Sequence, residues 1–123
     1  DAGTILRKHF LPGELHTVRP IALAALPVFT RNCREYTVME TQHFGRVAQI
    51  EVGAMLVGRV ENYKGAGVTF RRGEEKGRFL YGGSTVVLLL EKDRVQLDEE
   101  LFDNTAQGLE TPVQLGEVLG RRI

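Results

Sequence analysis

The sequence predicts a mainly β (α+β) domain, with glycine-rich antiparallel sheets in a barrel- or sandwich-like arrangement and one C-terminal helix near residues 98–108. Three observations lead there. Short runs rich in β-branched and aromatic residues alternate with turn residues, and glycine fills 14 of 123 positions. "VVLLL" (Val86–Leu90) is a continuous apolar run of strand length. "DEELFDNTAQG" (Asp98–Gly108) is the best helix candidate: Asp98 caps it, acidic residues fill its first turn and Gly108 ends it.

In chain order, strands are expected over Thr4–Arg7, Val28–Thr30, Glu35–Thr41, Arg46–Val52, Met55–Glu61, Val68–Phe70, Gly77–Leu80 and Thr85–Glu91. Pro20–Leu26 reads as a short helical turn, because proline's missing N–H is harmless at a first helical position. The segment "REYTVMETQHFGRVAQIEVG" reads as a hairpin across "QHFG", with Gly45 supplying the positive φ. Within it Arg46, Ala48 and Ile50 fall on one face, and Val47, Gln49 and Glu51 on the other. The Val86–Leu90 run is expected to be buried on both faces. In the helix, Leu101, Thr105 and Leu109 share a side.

The chain is long enough for one compact domain, or forms a piece of a larger one. Sixteen basic and sixteen acidic side chains cancel, so no global field draws nucleic acid. Cys33 is the single cysteine, which excludes an intrachain disulfide and a cysteine-rich zinc site; it reads as an inert loop or edge thiol. The longest apolar segment, Pro20–Phe29, is broken by Pro27 and is shorter than the roughly 18 residues a spanning helix needs. No signal peptide is visible, and "DAGTILRKHF" reads as a start in mid-domain.

The segment with chemical content is "GRFLYGGSTVVLLLEK" (Gly77–Lys92). Its plainest reading is structural: Gly82 and Gly83 bend the chain, Ser84 and Thr85 satisfy the turn, and a strand follows. No G-x-S-x-G elbow is present, since Val86 follows Thr85. A second chemistry also needs this grouping. The Ser84 hydroxyl attacks the Gly83 carbonyl, converting the amide to an ester, and glycine leaves that carbonyl unhindered. β-Elimination then yields dehydroalanine, which hydrolyses to a pyruvoyl group. The resulting α-ketoamide condenses with a primary amine and withdraws electrons from a carbon losing CO2, the role pyridoxal phosphate plays elsewhere.

The blocks "PGELHTVRPIAL", "REYTVMETQHFGRVAQIEVGAMLVGRV", "RRGEEKGRFLYGGSTVVLLLEK" and "NTAQGLETPVQLGEVLG" together resemble the catalytic region of phosphatidylserine decarboxylases, in order from about Gly3 to Gly120. The GGST form is similar to one branch of that family. The resemblance implies a pyruvoyl-dependent carboxy-lyase converting phosphatidylserine to phosphatidylethanolamine. It implies self-cleavage at Gly83–Ser84 into a β chain (1–83) and an α chain (84–123), with Ser84 as pyruvoyl precursor and Schiff-base former. Gly53, Gly82 and Thr85 are the expected substrate-pocket residues, with no metal. Expected partners are an amino-acid-containing lipid, a membrane surface, the upstream segment of the same proenzyme, and a second copy in a homodimer. The expected location is peripheral on a membrane, on the cytoplasmic side if bacterial. Alternatives are a relative acting on a free aromatic amino acid and a non-catalytic, unprocessed β domain.

The family's self-cleavage uses an aspartate and a histidine with the serine, and its histidines lie in a Tyr-His-x-x-His-like motif upstream of the matching region. His9, His16 and His43 do not match it, so no catalytic histidine is assigned here. His16 is the one of interest, because the matching block usually carries an aromatic residue there; metal binding by three scattered histidines is not expected. Arg19 stands where the family often has asparagine. The "RRGEEKGRFLYGG" segment also echoes a carrier-domain hairpin, but Lys76 lacks the hydrophobic neighbours of a modified lysine.

Overall fold

The computed structural model describes residues 1–26 and 28–123; Pro27, expected to interrupt the apolar segment, lies outside the described residues. Strands β1 (Gly3–Leu11), β2 (Arg34–Thr41), β3 (Gly45–Val52), β5 (Thr69–Phe70) and β7 (Thr85–Leu90) form a five-stranded antiparallel sheet in the order β5-β1-β2-β3-β7. Two small sheets join it: β4 (Val60–Asn62) with β6 (Gly77–Phe79), and β8 (Val95–Leu97) with β9 (Gly120–Arg122). The described strands do not close into a barrel.

The hairpin read from sequence is present. Thr41 pairs with Gly45, whose φ of 68° makes the tight return. Thr41 completes it: its hydroxyl donates to the Gly45 carbonyl (2.7 Å) and accepts the Phe44 N–H (3.1 Å). Helix α1 (Pro20–Ala25) begins at proline as expected, and α2 (Glu99–Ala106) ends before Gly108 at φ 71°. Asp98 flanks α2 in extended conformation, but its side chain makes no capping hydrogen bond.

Three expectations need correction. Val28–Thr30 is not a strand but part of a 3-10 turn, Val28–Arg31. The turn is closed by the Asn32 N–H on the Phe29 carbonyl (3.1 Å), which also accepts from the Arg34 guanidinium (2.9 Å). Met55–Glu61 is not one strand either. Ala54 and Val57 exchange hydrogen bonds (3.1 and 2.9 Å) around Leu56 at φ 70°, and pairing resumes only at Val60. Finally, Val86–Leu90 is not buried: each residue is 36–56% exposed. Among the described residues β7 pairs only with β3 and forms the sheet's edge, so no strand lies along its other side.

Register arranges one face of the sheet in rows. Met39, Val47 and Leu90 form one row; Thr37, Gln49 and Leu88 the next; Glu35, Glu51 and Val86 the third. The first row holds the core, where Ile5, Met39 and Val47 are buried and Phe44 and Phe70 pack against them. The split between Val47–Gln49–Glu51 and Arg46–Ala48–Ile50 follows the expected alternation.

Candidate active site around Ser84

The chain reaches Ser84 through two unusual backbone conformations. Tyr81 has φ 66° and Gly82 φ 133°. The first is uncommon for a residue with a Cβ, and the second suits glycine alone. Gly83 has open space where a Cβ would stand, so no packed neighbour crowds that side of its α-carbon. Thr85 then pairs with Val52, the last rung of the β3–β7 ladder. Strand geometry therefore clamps the chain immediately after the Gly83–Ser84 bond while the turn strains it just before.

The Ser84 hydroxyl oxygen is buried and finds no hydrogen-bond partner among the described residues. Buried polar atoms are nearly always satisfied, so such an orphan calls for an explanation. A hydroxyl whose lone pairs are uncommitted is free to act as a nucleophile; one engaged in the turn, as the structural reading expected, is not.

Gly53 and Gly82 meet at Val57. A Cβ on Gly53 would stand 3.0 Å from the Val57 carbonyl and 2.6 Å from the Cys33 sulfur, and one on Gly82 would lie 3.8 Å from Val57 Cγ2. Cys33 stands just before β2, as the loop reading expected, and is buried; its carbonyl accepts the Gly53 N–H (2.8 Å). Gly53→Ala is expected to destabilise the fold by about 1–3 kcal/mol through overpacking, whereas Gly83→Ala shifts the melting midpoint little. Equal midpoints for the two variants would contradict this crowding.

Sequence reasoning missed the residue that assembles this corner. Asn32, 3% exposed, accepts the His16 N–H (2.8 Å) and donates to the carbonyls of His16 and Gly53 (2.8 Å each). The Met55 N–H also binds the His16 carbonyl (3.1 Å). Asn32 thus ties the 14–16 loop to the 53–57 turn, while the His16 ring contacts Glu14 (2.5 Å) and is partly exposed. No local pattern in "TRNCRE" announces such a role.

A second missed cluster lies one row from Ser84. Lys76 Nζ contacts Glu51 (2.5 Å) and Asn62 Oδ1 (2.6 Å); Asn62 donates to Glu35 (2.8 Å), and Gln49 to Glu51 (2.8 Å). Glu51 had a readable signal, a carboxylate in the inward phase of an alternating strand. This engagement also removes Lys76 as an exposed carrier lysine. Nearby, Glu74 accepts the Arg71 N–H (2.9 Å) and pairs with Lys64 (2.5 Å), which holds its carboxyl below the usual range. The clasp is therefore intact above the ordinary carboxylate range, and is lost only as pH falls through the lowered value.

The model of the family described as phosphatidylserine decarboxylase matches residues 1–121. The chain belongs to the phosphatidylserine decarboxylase family. Phosphatidylserine decarboxylase proenzyme 2 of Clostridium acetobutylicum is 42% identical over 120 residues, covering 98% of this chain and 40% of that protein. The phosphatidylserine decarboxylase proenzyme of Chlamydia muridarum is 46% identical over 122 residues, with the same two coverages of 98% and 40%. Proenzyme 2 of Oryza sativa subsp. japonica is 41% identical over 121 residues, covering 97% of this chain and 19% of its own length. The chain thus spans about two fifths, or less, of these decarboxylase relatives. No solved structure matches it. Among the described residues, no helix is long and apolar enough to cross a membrane.

Proposed function

We propose that the chain is the C-terminal catalytic part of a pyruvoyl-dependent phosphatidylserine decarboxylase, and that Ser84 is the precursor of its pyruvoyl group. The observation that carries this reading is the buried Ser84 hydroxyl, unpartnered among the described residues, directly after a glycine with open space at its Cβ position. Family membership supports the reaction class, and the word proenzyme in the relatives' names supports self-processing.

Atoms balance as follows. Ser84 Oγ adds to the Gly83 carbonyl carbon, the Gly83–Ser84 C–N bond breaks, and the freed amine takes a proton. Loss of the Ser84 α-proton expels the Gly83 carboxylate from the β-carbon and leaves dehydroalanine. Its imine tautomer adds water and releases ammonia, leaving a ketone linked through the original carbonyl to Thr85. The ketoamide supplies an electron sink for loss of CO2 from a substrate bearing a primary amine. Within the chain, Thr85 holds that carbon through the β3–β7 ladder, and Gly53, Gly82 and Thr85 are the proposed substrate-pocket residues. The activating aspartate and histidine, and the membrane-contacting region, are assigned to the upstream part of the proenzyme.

The test is to incubate the purified proenzyme and resolve it on a denaturing gel. Two fragments joining at Gly83–Ser84, a ketone trapped by amine plus borohydride on the smaller one, and CO2 release from phosphatidylserine vesicles are expected. One uncut band with no trapped ketone would overturn the enzyme reading. CO2 release from tryptophan and not from vesicles would overturn the lipid substrate alone.

A further inference from the structure

A cavity of about 320 Å³ lies against the sheet beneath the 64–76 segment, lined by Ile5, Met39, Phe44, Phe70, Leu88 and Leu90 among others. Its size falls at the lower end of the roughly 300–1,000 Å³ of ligand pockets; the sheet side of its wall is mostly apolar, while Lys64, Arg71, Glu74, Glu75 and Lys76 line the side formed by the 64–76 segment. Strand alternation places Ser84, Val86, Leu88 and Leu90 on one face of β7, so the cavity opens on the side of the sheet that carries Ser84. Four residues of strand separate Ser84 from Leu88, about 13 Å.

Polarity changes in order along that path. Beyond Ser84 comes the row of Glu35, Glu51 and Val86 with Lys76 and Asn62 above it. Next is the row of Thr37, Gln49 and Leu88, and last the apolar row of Met39, Val47 and Leu90. One group along it has unspent bonding capacity. Lys76 lines the cavity and uses two of its three N–H donors on Glu51 and Asn62.

We propose that this cavity binds one acyl chain of a diacyl glycerophospholipid whose head-group amine reaches the Ser84 position. The inference rests on the decarboxylase reading and adds the subsite to it. An amphiphile with an amine at one end, a phosphodiester in the middle and a hydrocarbon tail matches the sequence of rows: reacting position, charged and hydroxyl-bearing rows, apolar cavity. The remaining Lys76 donor suits an oxygen of the phosphodiester. Burying the tail supplies binding energy remote from the reacting carbon.

The processed proenzyme tests this with two independent arms. Leu88→Trp fills the cavity. It is expected to lower kcat/KM for dioleoyl-phosphatidylserine by about tenfold, as a lost apolar subsite does, while activity on water-soluble dibutanoyl-phosphatidylserine stays within about twofold. Equal losses on both substrates, or none on either, would overturn the proposal. In the unmutated enzyme, phosphatidylserine bearing a diazirine at an acyl terminus, in phosphatidylcholine vesicles, should label peptides containing Met39, Val47, Leu88 or Leu90. Labelling confined to other peptides would overturn it, and this arm decides the matter if Leu88→Trp fails to fold. Absence of a trapped ketone in the unmutated enzyme would instead sink the decarboxylase reading, and the label map still reports on the cavity.

Discussion

Ser84→Ala in the proenzyme is expected to give a single uncut chain that folds at least as stably as the parent. Cleavage stops because alanine offers neither a nucleophilic oxygen nor a leaving group on its β-carbon. Stability holds because the Ser84 hydroxyl makes no hydrogen bond among the described residues, so none is lost. Removing a buried unsatisfied hydroxyl relieves a desolvation penalty of about 1–3 kcal/mol, against which only a small cavity term stands. A denaturing gel and a thermal melt check the two halves separately. Cleavage at the same bond would end the proposed chemistry, and a large fall in melting midpoint would mean that the hydroxyl has a structural partner. Ser84→Thr is the informative companion, since a processed threonine would leave a ketoacyl group one carbon longer, visible by mass.

The second large effect is expected at Lys76. Its ammonium is the cation facing Glu51, whose side chain is 6% exposed. Lys76→Met leaves that carboxylate uncompensated, and removing one partner of a buried pair costs about 3–5 kcal/mol. The 21% exposure of the Lys76 side chain puts the expected loss at the lower end, about 3 kcal/mol. A denaturant melt with a shifted midpoint and unchanged slope is the readout. Adding Glu51→Leu should recover most of the loss, because two apolar groups then replace the pair. An unshifted midpoint in Lys76→Met would show that water compensates Glu51. Cleavage should slow as well in the single variant, since Glu51 pairs with Val86, two residues from Ser84.

The framework was legible where pattern and turn chemistry agreed. The β2–β3 hairpin, its Gly45 return, the proline start of α1 and the glycine end of α2 all follow from local physics. Ser84 was legible as a junction between turn and strand. What escaped depends on distant partners. β8 and β9 are three residues each and meet across 22 residues of intervening chain, so neither run signals a strand alone. The Met55–Val57 run looks like strand because its residues are apolar, yet hydrogen bonds to His16 and within 54–57 turn it. Asn32 and the Lys76–Glu51 pair gain their roles only when loops far apart in sequence close around them. Val86–Leu90 was misread because an apolar run reports what a strand is suited to touch, not what touches it.

That uncovered edge has a colloidal consequence. No described strand pairs with the outer side of β7, which carries five successive apolar side chains and has no lysine, proline or bulge to discourage edge pairing. A formal net charge of zero near pH 7 provides no long-range repulsion between copies. Handled alone in dilute neutral buffer, the 123-residue polypeptide is a self-templating surface, and its solubility should improve away from neutral pH or in mild detergent.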